Sequence, residues 1–235
     1  TSLTVHYQVK EQVKDGQEIV HALSSLPVKL YQVATVSRDV KFTMTGEFSR
    51  YRVTVNNLTS DGWGDLAETL ASYAERDNLR PLHTGTTDAQ GTVKFDNLST
   101  GLYLVTAPAY ELDGVTYLPQ SFLVCLPNRD KSGNWLYDVV AVPKYSVLEK
   151  GDHMVQKVWK DDGQESRRPD EITVALLKNG EVEGEATLNA DNNWRYEWKD
   201  LDENALWRVV ERDVPDGYTV LVDRQGAVFM MTNSK

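Results

Sequence analysis

The chain has 235 residues, of which 40% are hydrophobic and 26% charged, with a net charge of −10 and a pI of about 4.9. This composition is typical of a folded, soluble chain with room for two small domains, and it argues against a disordered one. The acidic balance argues against nucleic acid or an anionic membrane as partner, because both require a basic face. A single cysteine, Cys125, excludes an intramolecular disulfide.

The first half consists mostly of short stretches with the alternation of β-strands, separated by turn residues. These stretches are 3–9, 28–33, 51–55, 93–95, 101–105, 121–126 and 135–142. Residues 61–76 are the exception, because Leu66, Leu70 and Tyr73 recur at helical spacing. Ser60 or Asp61 is the expected helix cap.

A short junction at 143–152 precedes a second group of strands. That group comprises 154–159, 172–177, 193–198, 207–211 and 229–233, with turns at 178–181 and 215–218. Regular short strands with such turns predict β-sandwiches. We therefore expect an all-β chain of two Ig-like sandwiches in tandem, at 1–147 and 148–235, the first with a helical insertion.

A lysine interrupts the apolar face of the strand that opens the second domain. Side chains alternate between faces along a strand, so Val155, Lys157 and Trp159 share one face. A lone buried charge costs several kcal/mol, and such a group is therefore paired, neutralised or used in chemistry.

Two further polar residues break the same alternation. Glu211 shares a face with Val209, and Asn233 shares a face with Met231. A neutral lysine amine can attack the asparagine carboxamide and expel ammonia, while a protonated glutamate polarises the carbonyl and moves protons. The product is a Lys157–Asn233 isopeptide bond with Glu211 as its catalytic acid. The alternative is a buried salt bridge beside an amide.

Four stretches of the second domain carry a family resemblance: VWKDD at 158–162, RPDEITV at 168–174, LNADNNW at 188–194 and VERDVPDGY at 210–218. The resemblance is to the CnaB-type domain of Gram-positive surface proteins. It implies a CnaB-type sandwich in which Lys157 and Asn233 are cross-linked and Glu211 is the catalytic acid, the same three residues that the alternation selects.

Residues 1–145 carry a second set of matching stretches: LPVKLYQV at 26–33, GTTD at 85–88, FDNLSTGLYLV at 95–105 and FLVCLP at 122–127. On these stretches, residues 1–145 resemble the N-terminal domain of sortase-assembled pilins. WLYDVVAVPK at 135–144 is similar to a pilin motif, with Ala141 and Val142 in place of the usual Val and Tyr. The resemblance implies that a sortase joins Lys144 to another subunit; the alternative is a solvated lysine at the junction.

The first domain departs from this family at its cross-link. Tyr7, Ala107 and Tyr145 stand where lysine, glutamate and asparagine are expected. We therefore predict no isopeptide bond there and an apolar or aromatic core instead, with a partner needed for the Tyr7 hydroxyl.

Other candidate sites have simpler interpretations. Cys125 is expected to be a small strand residue rather than a reactive thiol. The four histidines show no metal-ligand spacing, and no cofactor is expected. The acidic turns at 161–163 and 191–193 could hold calcium, although hairpin chemistry explains them better. Trp194, Tyr196 and Trp198 share a face and could bind sugar, but packing on a sandwich is the favoured use.

The sequence thus predicts a structural subunit of a covalently assembled pilus, leaning to a minor or basal pilin, rather than an enzyme that turns over a substrate. A shaft subunit or its fragment, and an adhesin for host matrix or glycan, are the alternatives. Partners would be other pilin subunits, a pilus sortase and a host ligand. The protein is expected at the cell wall, with a secretion signal before Thr1 and a sorting signal after Lys235.

Overall fold

The computed structural model describes residues 1–13, 15–56, 58–148 and 151–235. It divides into two compact units. Unit 1 comprises Thr1–Ser49 and Arg80–Leu148, and unit 2 comprises Arg50–Leu79 and Glu149–Lys235. Strands dominate the described residues, which contain one α-helix, and the predicted all-β class with a helical insertion is confirmed.

Unit 1 contains fifteen strands among its described residues. They are β1 (Ser2–His6), β2 (Gln8–Gln12), β3 (Glu18–Ala22), β4 (Pro27–Val36), β5 (Phe42–Met44), β6 (His83–Thr86), β7 (Thr92–Phe95), β8 (Gly101–Thr106), β9 (Tyr110–Leu112), β10 (Val115–Pro119), β11 (Phe122–Leu126), β12 (Asn128–Arg129), β13 (Trp135–Leu136), β14 (Asp138–Ala141) and β15 (Tyr145–Val147). A short 3-10 helix, Gly46–Arg50, follows β5.

The larger sheets of unit 1 have the orders β11-β8-β4-β5, with β6 also on β4, β14-β1-β7 and β15-β10-β9. Strand β1 runs parallel to β14 and antiparallel to β7. Its alternation places Leu3 and Val5 in the core, where both are fully buried beside Tyr103. The alternation of side chains that the sequence predicts therefore determines which face of β1 is buried.

Unit 2 is built from one helix and seven strands within the described ranges. They are α1 (Ser60–Arg76), β16 (His153–Lys160), β17 (Glu171–Lys178), β18 (Glu181–Asn189), β19 (Arg195–Trp198), β20 (Trp207–Glu211), β21 (Thr219–Gln225) and β22 (Val228–Ser234), with short 3-10 helices at Glu165–Arg167 and Ala190–Asn192. One sheet has the order β19-β16-β22-β21 and the other β18-β17-β20. The first and last strands, β16 and β22, are parallel neighbours.

Helix α1 differs from expectation in two respects. Its cap is Thr59, whose hydroxyl accepts from the Gly62 amide at 3.1 Å, rather than Ser60 or Asp61. The segment 50–79, expected within the first domain, belongs to unit 2. The physical reason is that the apolar face of α1, with Leu66 and Leu70 fully buried, is covered by unit 2 strands.

Within the described residues, no helix has the length and apolar character needed to cross a bilayer.

A substitution at Gly91 tests how closely the backbone of unit 1 packs around this residue. Its φ is +76°, and a Cβ there would lie 2.2 Å from the Tyr7 carbonyl oxygen. We expect Gly91→Ala to lower the free energy of unfolding by about 3 kcal/mol or more, because strain and a backbone clash combine. Gly114, at φ +79° with no atom within 4 Å of that position, is the matched control. Gly114→Ala should cost about 1 kcal/mol, and equal losses in denaturant titrations would contradict the clash.

Candidate functional site

Three polar side chains meet inside the sandwich of unit 2. Glu211 and Asn233 are fully buried and Lys157 is 3% exposed. Burial alternates along β16 and β22, so that Lys157 lies on the inward face with Val155, and Asn233 with Met231. The structure thus places all three residues on the faces that the alternation predicts.

The strand pairing brings these residues together from two sheets. In the parallel register of β16 and β22, Lys157 lies opposite Met231 and Trp159 lies opposite Asn233. Lys157 and Asn233 are therefore on adjacent strands and on the same face. Glu211 ends β20 in the other sheet and reaches them across the core.

The Glu211 carboxylate is the centre of the cluster. Lys157 Nζ donates to Glu211 Oε1 at 3.0 Å, and Asn233 Nδ2 donates to the same oxygen at 3.0 Å. One carboxylate oxygen therefore holds both the amine and the carboxamide. The shared partner places the lysine amine and the asparagine carboxamide beside the same carboxyl group.

Burial moves both titrating groups toward their neutral forms. It lowers the pKa of Lys157 to about 8, although the Glu211 charge and hydrogen bond act in the opposite direction. Burial also raises the pKa of Glu211, against the charge of Lys157 and the hydrogen bonds from Lys157 and Asn233. A neutral amine is a nucleophile and a protonated carboxyl is an acid, so the environment favours the forms that react.

Two oxygens of the cluster are buried without a hydrogen-bond donor from the described part of the chain. They are Glu211 Oε2 and Asn233 Oδ1. An ionised glutamate has only acceptors, whereas a protonated one has an O–H to donate. A proton on Glu211 supplies the donor that the site lacks, and the carbonyl of Asn233 is the acceptor that needs one.

An aromatic wall, formed by Trp159, Trp194 and Tyr218, lies beside the lysine. Lys157 Nζ lies 4.7 Å from the centre of the Trp159 ring, whose other neighbours are Trp194 and Tyr218, at 5.3 and 5.1 Å between ring centres. Such rings exclude water from the amine. The alternation places Trp159 on the inward face, but its contact with the lysine is a property of the folded strand.

Sequence reasoning missed the role of Asp161. Its carboxylate accepts two hydrogen bonds from Arg168 at 2.8 Å and one from the Tyr218 hydroxyl at 2.9 Å. The bonds from Arg168 hold the pKa of Asp161 at about 2. The acidic turn that it opens is therefore tied to the aromatic wall. The described residues contain no group of three or more His, Cys, Asp or Glu side chains arranged to hold a metal ion.

The aromatic stretch after that wall differs from prediction. Trp194 has φ +57° and precedes β19, so it does not continue the alternation of that strand. Its ring packs on Trp159, whereas Tyr196 is 43% exposed and contacts Trp198 at 5.2 Å between ring centres. The three rings therefore do not form one face.

The three positions of unit 1 at which the pilin resemblance expects a cross-link are occupied by packing residues. Tyr7 is 3% exposed in the core, and Ala107 and Tyr145 pack against the same cluster. Burial raises the pKa of the Tyr7 hydroxyl. The Tyr145 hydroxyl bonds the backbone of Lys10, accepting from its amide at 2.9 Å and donating to its carbonyl at 3.2 Å. The absence of a cross-link here stays a prediction.

The remaining candidates lie elsewhere in unit 1. Lys144 is exposed immediately before β15, and its carbonyl accepts from the Gln120 amide at 2.8 Å. Cys125 is half-buried on β11, and burial raises the pKa of its thiol, which disfavours the reactive thiolate.

Residues 153–234 match the family model of the Cna protein B-type domain. Their resemblance to this domain is thereby confirmed. The collagen adhesin of Staphylococcus aureus is 36% identical over 139 residues, 43% of this chain and 12% of that protein. The serine-aspartate repeat-containing protein F of Staphylococcus epidermidis is 27% identical over 197 residues, 73% of this chain and 11% of that protein. The chain therefore spans only about a tenth of the length of these relatives.

Among solved structures, the major pilin SpaA of Corynebacterium diphtheriae is similar over 100% of both chains, at 12% identity and a TM-score of 0.36.

The buried pair of Lys157 and Glu211 predicts how the stability of the Asn233→Ala variant depends on pH. This variant keeps the pair but has no carboxamide with which Lys157 could form an isopeptide bond. Unfolding releases a proton from Glu211 above pH 4.5, so stability falls as pH rises from there through the raised folded pKa. Unfolding takes up a proton on Lys157 between about pH 8 and 10.5, so stability recovers across that window.

Denaturant titrations of Asn233→Ala across this pH range measure both the fall in stability and its recovery at alkaline pH. The control is Asn233→Ala combined with Lys157→Met, which should lose the alkaline recovery and keep the fall. A recovery of equal size in both variants would contradict the assignment to Lys157.

Proposed function

We propose that Lys157 and Asn233 form an intramolecular isopeptide bond, assisted by Glu211. The observation that carries this proposal is the shared carboxylate oxygen, 3.0 Å from both the amine and the carboxamide nitrogen in a fully buried site. A plain buried salt bridge leaves Asn233 Oδ1 and Glu211 Oε2 without donors, whereas the reacting form uses both.

The reaction balances without an oxidant or a cofactor. A proton moves from Lys157 to Glu211, and the neutral amine attacks Cγ of Asn233 while the Glu211 carboxyl hydrogen-bonds the carbonyl oxygen. Glu211 then accepts a proton from the attacking nitrogen and gives one to Nδ2. The Cγ–Nδ2 bond breaks, ammonia leaves, and a secondary amide joins the two side chains. The bond forms once, so the domain does not turn over a substrate.

The consequence of this bond is mechanical and thermodynamic. It joins the first and last strands of the domain, which are parallel neighbours. A chain-entropy estimate for a cross-link that closes most of the domain is on the order of 4 kcal/mol. Force applied along the chain could no longer separate β16 from β22 without breaking a covalent bond.

The chain as a whole then serves as a structural subunit of a covalently assembled cell-surface pilus. A minor or basal pilin is favoured, and a shaft subunit is the alternative. Support comes from the Cna B-type domain and from a pilin among the similar structures. Other pilin subunits and a sortase would be its partners at the cell wall. Lys144 would be the acceptor, since its side chain is exposed.

An adhesin is the second candidate. The observation that favours it is Tyr196, 43% exposed beside Trp198 on the edge strand β19, an arrangement that sugar or protein ligands use. One of the similar proteins is a collagen adhesin.

Intact-protein mass spectrometry tests the bond. The wild-type chain should be lighter than its sequence by one ammonia, and Glu211→Ala should have the full mass, because no acid remains to protonate the leaving group. Glu171→Ala, at an exposed position of β17, is the matched control and should lose ammonia like wild type. A full-mass wild type would remove the proposal, and two ammonia losses would place a second bond in unit 1.

The acceptor role of Lys144 is tested by incubation with a pilus sortase and its sorting-signal peptide. Lys144→Arg should abolish the peptide adduct, because a guanidinium is too basic to act as the attacking amine. Lys131→Arg, at another exposed lysine of unit 1, is the control and should leave the adduct unchanged. An adduct that persists in Lys144→Arg would exclude Lys144 as the acceptor.

A further inference from the structure

The segment 50–79 lies outside the residues that match the Cna B-type domain, yet it is part of unit 2. More than 70 positions separate α1 from β16 in the sequence. The helix contacts β20 and β21, which are the edge strands of the two sheets.

The backbone of Glu211 points its carbonyl away from its own sheet. Glu211 lies opposite Val174, and the Arg212 amide donates to the Thr173 carbonyl at 2.9 Å. This pattern marks Glu211 and Val174 as a non-hydrogen-bonded pair of an antiparallel ladder. The amide and carbonyl of Glu211 therefore face the free edge of β20, where no strand accepts or donates.

Tyr73 of α1 fills this edge. Its hydroxyl donates to the Glu211 carbonyl at 2.8 Å, and the side chain is 3% exposed. The ring is stacked on Tyr51, with 4.7 Å between centres and 14° between planes, and Arg76 lies 4.8 Å above it. The Tyr73 ring, which carries the hydroxyl bonded to Glu211, is thus itself packed against Tyr51 and Arg76.

A charged clamp fixes the same strand three residues earlier. Arg208 of β20 lies between Glu68 at 3.0 Å and Glu75 at 3.7 Å, and its guanidinium donates to Ser72 at 3.4 Å. Glu68, Ser72 and Glu75 follow one another at spacings of about one helical turn and therefore share a face of α1. The Arg208 side chain is 11% exposed, so its guanidinium is largely shielded from solvent.

The segment also satisfies the free edge of β21. The Val220 amide donates to the Arg52 carbonyl at 2.9 Å, and the Val222 amide donates to the Thr69 hydroxyl at 2.9 Å. Segment 50–79 therefore supplies partners to both edge strands of the sandwich. Without it, these buried backbone groups would lose partners at a cost that mutational series place near that of a lost hydrogen bond.

We propose that segment 50–79 completes the reactive domain and that Tyr73 is a positioning residue, which holds the backbone of Glu211 so that its carboxyl meets both Lys157 and Asn233. The inference rests on the proposed isopeptide bond. β20 is bonded to β17 on one side only, and Tyr73 and the Arg208 clamp fix its other side. A displacement of the carboxyl by about 1 Å slows a reaction of this kind substantially.

The test is the rate of ammonia loss in full-length chains made by cell-free translation, stopped in denaturant at successive times and weighed intact. We expect Tyr73→Phe to form the bond on the order of tenfold more slowly than wild type, because the Glu211 carbonyl loses its donor. The matched control is Tyr103→Phe. Tyr103 is fully buried in unit 1 and donates to the Ser99 carbonyl at 2.8 Å, so it has the same chemistry away from the site.

Stability is measured separately for both tyrosine variants, each combined with Lys157→Met so that no bond forms. We expect similar losses of unfolding free energy but a slower reaction only for Tyr73→Phe, with Tyr103→Phe within about twofold of wild type. Equal slowing in both variants, or a wild-type rate in Tyr73→Phe, would overturn the positioning role. A wild type that never loses ammonia would instead defeat the proposed bond.

Tyr51→Leu is the second variant should Tyr73→Phe not fold. It removes the ring stacked on Tyr73 while leaving the hydroxyl bonded to Glu211. We expect slower bond formation by a smaller factor than for Tyr73→Phe, and a rate equal to that of wild type would overturn the proposal.

Discussion

The exclusion of water from Lys157, Glu211 and Asn233 is the constraint on which unit 2 depends. In water the lysine would carry its charge up to about pH 10.5 and the glutamate would lose its proton near pH 4.5. In the core both groups move toward neutrality, because a low dielectric penalises the charged forms. The two sheets, the Trp159 ring and the parallel end strands all serve the same physical condition.

This condition makes the edges of the sandwich important. A three-stranded sheet has two free edges, and Glu211 ends the strand at one of them. An edge strand held on one side frays more readily than a central one and admits water. The site therefore places its acid on an edge strand, and the Tyr73 hydroxyl supplies the hydrogen bond that a neighbouring strand would otherwise give to its carbonyl.

Much of the site can be predicted from sequence because it depends on a period of two. Lys157, Glu211 and Asn233 each stand on an otherwise apolar face, so alternation predicts that each points into a core, although the strand pairing that makes them neighbours is seen only in the fold. Local signals also predict the helix, since Leu66 and Leu70 mark its buried face. What the sequence does not reveal is which partner covers that face. An apolar stripe predicts burial but does not identify the sheet that buries it, and so α1 was expected in the first domain.

Other differences have equally local causes. Thr59, Ser60 and Asp61 all favour capping, and the one whose backbone is extended becomes the cap. Trp194 breaks its strand because Asn193 and Trp194 both adopt positive φ, which a pattern of aromatic residues does not reveal. The two units also fill their cores differently. Tyr7 and Tyr145 bring aromatic rings, whereas Lys157 and Glu211 bring charges that must be neutralised or paired. A polar cluster lies in the core of unit 2 and aromatic packing fills the core of unit 1, because the side chains that the two stretches of sequence supply differ in chemistry.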